Sequence, residues 1–135
     1  MTSIQRHKTH GAKAKRRETR LANRKPKEWG YLVIWVHVLA GMEKRFEKGY
    51  GPEGGWVRLF DKDQAYIRTE LIHHFRAENL KDKRTYLTLD FWASQQAYDK
   101  FRKEHIAEYK ALDLICEKMA ESEREIGRFV RVSQK

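Results

Sequence analysis

The chain has 135 residues, 40% of them hydrophobic, with four Trp, six Tyr and six Phe; this suits one globular domain and is too short for two of ordinary size. Its net charge of +10 is unevenly placed: residues 1–28 hold ten Lys/Arg against two acids, and residues 29–135 hold nineteen against seventeen, so the body of the chain offers no general attraction to a polyanion. A single cysteine, Cys116, excludes an internal disulfide framework or a C-x-x-C metal site, and no apolar run approaches the ~20 residues that span a membrane.

Residues 1–28 contain few large apolar side chains and no Phe, Tyr or Trp. Such a segment cannot bury enough surface to offset its ordering entropy. A basic disordered tail is expected there, with a folded domain over residues 29–135. Any contact of the tail with nucleic acid would be weak, non-specific and salt-sensitive, because it has no aromatics for stacking. The N-terminus lacks the apolar core of a secretory signal. A reducing cytoplasm is the expected compartment, with Cys116 as a buried thiol beside Leu114, Ile115 and Met119.

Tyr31 to Leu39, YLVIWVHVL, is a continuous apolar, β-branched run and predicts a strand buried on both faces. Gly41 ends it. Met42 to Lys48 predicts a short helix, Gly49 to Gly55 a loop, and Trp56 to Phe60 a further helical turn. Ala65 to Phe75 predicts the second strand. Glu78 to Lys83 is a charged turn, and Arg84 to Phe91 the third strand, alternating with a period of two. At Trp92 the period changes. Ser94 is placed to cap a long helix reaching Ser122, bent near Glu104–His105, whose apolar stripe begins Ala97, Tyr98, Phe101. Ile126 to Val132 predicts a fourth strand.

The order β-α-β-β-α-β is ferredoxin-like, an α+β fold with a four-stranded antiparallel sheet and the helices on one face. Strand one is apolar in both phases. The helices can cover only one of them, so the other face is expected to meet a second copy of the chain, as a homodimer packed sheet to sheet.

The strand-one pattern VIWVHVLAGMEKRFE, the strand-to-helix element YLTLDFWASQQAYDKF and the element order together resemble the antibiotic biosynthesis monooxygenase domain, over about Tyr31 to Val132. The resemblance implies a dimeric α+β barrel of ferredoxin-like monomers. It also implies, as an expectation, a cofactor-independent monooxygenase acting on a phenolic molecule. The haem-degrading branch is set aside. Its helix Trp and the His ten residues later would fall on Phe101 and Ala111, and strand one has no Asn.

Among candidate site residues, Gly49-Tyr-Gly-Pro-Glu-Gly54 matches G-x-G-x-x-G. It follows a helix rather than a strand, and Glu53 would set an anion beside any phosphate, so a structural loop is expected. Neighbouring His73 and His74 point to opposite faces of a strand and cannot share a metal. No metal site and no cofactor are expected. His37 lies on the phase of Trp35 in an otherwise apolar strand and is either a hydrogen-bonded core group or a pocket base. Glu70 and Asp90 lie in facing strands and can share its side of the sheet, depending on register.

The catalytic set expected from these residues is His37 as base, Asp90 as its orienting partner, and Glu70. Trp35 and Trp92 would wall the substrate, while Tyr109 and Asp113, on one face of the long helix, would cover it. The competing reading is a non-catalytic, ligand-binding or stress-associated homodimer whose polar residues form a satisfied core network.

Overall fold

The computed structural model describes residues 28–75 and 83–132. The basic segment up to residue 27, and the charged turn over 76–82, lie outside the described residues. Strand β1 spans Tyr31–Leu39, helix α1 Glu43–Tyr50, helix α2 Gly55–Phe60, β2 Tyr66–His73 and β3 Arg84–Trp92. Then come α3 over Gln95–Glu104, α4 over Ile106–Cys116, a 3-10 turn at Glu117–Met119, and β4 over Ser122–Val130. The strands form one sheet in the order β2-β3-β1-β4, antiparallel at every pairing. This is the ferredoxin-like arrangement expected from the pattern.

The β1 boundaries coincide with the expected ones. Gly41 turns the chain with φ of 91°, and Met42 follows it into the left-handed region at φ 64°. Met42 therefore precedes α1 instead of belonging to it, and such a conformation is strained for a residue with a long side chain. The glycine-rich loop connects α1 to α2. A Cβ on Gly54 would lie 2.1 Å from the Gly49 carbonyl oxygen, so its glycines serve close backbone approach. Ser94 caps α3 as expected, its Oγ accepting from the Ala97 N–H at 3.1 Å. The long helix breaks at His105, whose φ and ψ of −118° and 28° leave the helical region.

The C-terminal boundary differs from expectation. The helix ends at Cys116, not Ser122, and β4 begins four residues before Ile126. The reason lies in β1, a nine-residue central strand whose far edge needs partners along its length. Pairing of Val38 with Ser122 and Tyr31 with Val130 meets that need. The charged run Ser122-Glu-Arg-Glu disguises the strand because its alternation is polar on both sides.

Two bulges decide which side chains face the helices. On β4, Ile34 pairs with Gly127 but Trp35 with Glu125, leaving Ile126 extra; this keeps Glu123, Glu125 and Arg128 on the helix side together. On β2, Tyr66 pairs with Trp92 and Arg68 with Phe91, leaving Ile67 extra. Past that bulge Thr69 faces the helices and Glu70 faces away. An extra residue inverts all that follows it, because side chains alternate strictly along a strand.

The core lies between the sheet and the helices. Trp92, Phe101, Phe46 and Leu39 are completely buried there. The opposite face carries Leu32, Ile34, Val36 and Val38 of β1. Beside them lie Leu87 and Leu89 of β3, paired with Val36 and Ile34, and Phe129 of β4, paired with Leu32. Phe129 and Ile72 are 43% and 46% exposed. No helix among the described residues is long and apolar enough to cross a membrane.

Candidate active site

A cavity of about 270 Å³ opens between the helix-facing side of the sheet and the helices. Its floor includes Trp35 and His37 from β1, Thr88 and Asp90 from β3, and Glu123 from β4; Tyr50, Trp56, Arg102 and Tyr109 come from the helices above. Five of the seven residues singled out from sequence line it: Trp35, His37, Asp90, Tyr109 and Asp113. Two do not. Glu70 is on the other face of the sheet, opposite Leu89, where it pairs with Arg68 at 2.9 Å; the bulge at Ile67 puts it there. Trp92 is completely buried in the core, packed against Phe60, Tyr66, Tyr98 and Phe101.

His37 is held at both ring nitrogens. Nδ1 lies 2.8 Å from Glu123 Oε2 and Nε2 lies 3.0 Å from Thr88 Oγ1. Glu123 Oε2 also accepts from the Tyr50 hydroxyl at 3.1 Å. The expectation that Asp90 orients His37 is corrected: Glu123 takes that place, while Asp90 lies four residues along β3 from Tyr86, the direct partner of His37. A carboxylate on Nδ1 selects the tautomer with its proton there, leaving Nε2 to accept from Thr88.

Asp90 is distinct from the other acids of the floor. Its Oδ1 accepts from Thr69 Oγ1 at 2.7 Å, and Thr69 Oγ1 accepts from the Tyr66 hydroxyl at 2.7 Å. Burial raises its pKa to about 7, against the smaller opposing effect of the Thr69 hydrogen bond. Its carboxyl can thus exchange a proton with a ligand near neutral pH. The hydroxyl of Tyr109 is held protonated by burial, and that of Tyr50 by burial and then by the Glu123 charge. Asp113 is at the rim, its pKa raised by burial and by Glu123.

Several contributors escaped the sequence reading. Glu123 and Glu125 fall between the helix expected to end at Ser122 and the strand expected to begin at Ile126, so neither was placed on the sheet, whereas β4 starts at Ser122. Arg102 was legible in principle, because it stands four residues after Tyr98 and seven before Tyr109, on one helical face. Its Nη1 donates to the Tyr98 hydroxyl at 3.2 Å, and its guanidinium lies 4.1 Å from the centre of the Tyr109 ring. Arg102 Nε is buried without a hydrogen-bond partner, which for such a group costs about 1–3 kcal/mol or more. Among the described residues, no cluster of three or more His, Cys, Asp or Glu is arranged to hold a metal ion.

The chain matches no family model and no curated protein. Solved structures do match it. One is a mutant of SnoaB, a cofactor-independent oxygenase from Streptomyces nogalater, with a TM-score of 0.55 and 12% identity over 79% of this chain and 97% of that one. Another is a dimeric ferredoxin-like protein from an uncultured marine organism, with a TM-score of 0.55 and 16% identity over 80% of this chain and 92% of that one. The chain shares their fold. It is the ferredoxin-like α+β fold that the strand-one and strand-to-helix patterns led us to expect.

Proposed function

We propose that the protein is a cofactor-independent oxygenase that deprotonates a small phenolic substrate in this cavity and lets dioxygen attack the resulting anion. The observation that carries the reading is Asp90, a carboxyl with a pKa of about 7 on the floor of an aromatic-walled cavity. A general base is most effective when its pKa lies near the working pH. Removal of the phenolic proton by Asp90 leaves an electron-rich anion against Trp35 and Tyr109. That anion reduces dioxygen by one electron, the radical pair combines into a hydroperoxide, and loss of water leaves a quinone. One oxygen atom of dioxygen enters the product and the other leaves as water. His37 has both nitrogens engaged and serves to position Thr88 on the floor. The fold shared with SnoaB, described as a cofactor-independent oxygenase, is consistent with this chemistry.

The test is oxygen uptake by metal-free protein given 1,5-dihydroxynaphthalene. Stoichiometric uptake with appearance of the hydroxynaphthoquinone is the expected result. Binding of the diol with no uptake above the protein-free rate would favour a non-catalytic binding protein instead.

We further infer that the apolar face of Leu32, Ile34, Val36 and Val38 packs against the same face of a second copy. Ile34, Val36 and Val38 are only partly buried by the chain itself, and Ile72 and Phe129 beside them are exposed. A contiguous apolar face marks an interaction site, and a two-fold pairing makes one patch self-complementary. The dimeric ferredoxin-like neighbour supports this arrangement. Native mass spectrometry should give twice the chain mass of 16.2 kDa; a monomer at micromolar concentration contradicts the inference.

A further inference from the structure

Most charges of the cavity are answered where they stand. Glu123 accepts from His37 and Tyr50, Glu125 accepts from Arg128 Nε at 3.2 Å, and Asp90 accepts from Thr69. Arg102 is the exception. No carboxylate among the described residues makes an ion pair with it, and its contacts are a neutral hydroxyl, Tyr98, and an aromatic face, Tyr109. Its Nε, buried, has no acceptor at all. Asp113 lines the same space and interacts with Arg102 only weakly and at a distance.

Arginine cannot shed its charge near neutral pH, and its fork of donors matches the two oxygens of a carboxylate. Its weak hydration and its stacking on Tyr109 make it suited to act inside an aromatic cavity. A flat ligand against Tyr109 would bring a substituent on its ring within reach of those donors.

We propose that Arg102 is the recognition group of the cavity and that its ligand is an aromatic hydroxy acid, whose carboxylate takes the unused donors of the guanidinium. This rests on the oxygenase reading for the identity of the site and narrows its substrate class. The phenolic end would face Asp90 and the acid end Arg102, so the two groups fix the ring between them.

The experiment is anaerobic titration, at neutral pH, of Trp fluorescence with 6-hydroxy-2-naphthoate, whose hydroxyl and carboxylate lie at opposite ends of the ring system, and with 2-naphthol. Wild-type protein is expected to bind the acid at least ~10-fold tighter than the uncharged phenol, equivalent to about 1.4 kcal/mol. Arg102→Gln should abolish that preference while retaining affinity for 2-naphthol. Arg102→Lys keeps the charge but not the fork, and should keep only part of the preference. Equal affinities in the wild type, or a preference undiminished in both variants, overturn the assignment. Should Arg102→Gln bind neither probe, Arg102→Lys decides on the same criterion. Failure of this preference leaves oxygen uptake with uncharged phenols untouched, so the two readings fall separately. If the wild type binds neither probe, both are overturned.

Discussion

Replacing Asp90 with Asn is expected to lower the oxygenation rate by about 10²–10⁴-fold, the usual span for loss of a general base. The fold should survive, because Asn keeps an oxygen to accept from Thr69 and has nearly the same shape. The pH dependence carries a defined sign. Asp90 must be ionised to act, so wild-type kcat/KM should rise with pH up to about 7, its folded-state pKa, and level off above it. Stability runs the other way. A carboxyl whose folded pKa lies above its unfolded value binds its proton more tightly when folded. Its contribution is therefore most favourable at low pH and is lost as pH rises from about 4 to about 7. Above pH 7 the charged carboxylate weakens the fold by on the order of 2–4 kcal/mol. Asp90→Asn should consequently melt no lower than the wild type at pH 8 while being nearly inactive. A variant that retains its rate, or whose rate profile keeps the wild-type inflection, removes Asp90 as the base.

Trp92→Ala should be the most damaging single change to stability, at about 3–5 kcal/mol, or roughly 15–30 °C in Tm for a domain of this size. Trp92 is completely buried and its ring centre lies 5.1 to 5.4 Å from those of Phe60, Tyr66, Tyr98 and Phe101. Truncation opens a void in the middle of that aromatic cluster, whose rings come from α2, β2 and α3. Trp92→Phe should cost far less. It preserves an aromatic ring and removes an indole N–H that is buried without a hydrogen-bond partner. Thermal denaturation of the two variants separates this core role from the substrate-wall role expected from sequence. A Trp92→Ala protein that melts normally but binds ligand poorly would restore the latter.

The fold was legible because its signals are local. The apolar run of β1, the glycine at its end and the change of period across Trp92 each act over a few residues, and each marks its element correctly. The cap at Ser94 and the break at His105 are of the same kind. The site was only partly legible, because its membership depends on register. Alternation put His37 and Trp35 on a common face and left Asp90 and Glu70 to the register; the structure brings His37, Trp35 and Asp90 to one cavity. Glu70 failed through one extra residue, Ile67, which no propensity announces. Glu123 failed for a different reason: Ser122-Glu-Arg-Glu has the composition of a helix end, and only the unpaired edge of β1 makes it a strand. The orienting partner of His37 therefore comes from a segment whose own residues do not advertise it.

Mass spectrometry of the quinone formed from 1,5-dihydroxynaphthalene under ¹⁸O₂, with metal-free protein in unlabelled water, tests the central claim most directly. One labelled oxygen atom per product molecule, formed at a rate that falls with Asp90→Asn, is the expected result. Product free of label, or a rate equal to that without protein, contradicts oxygenation in this cavity.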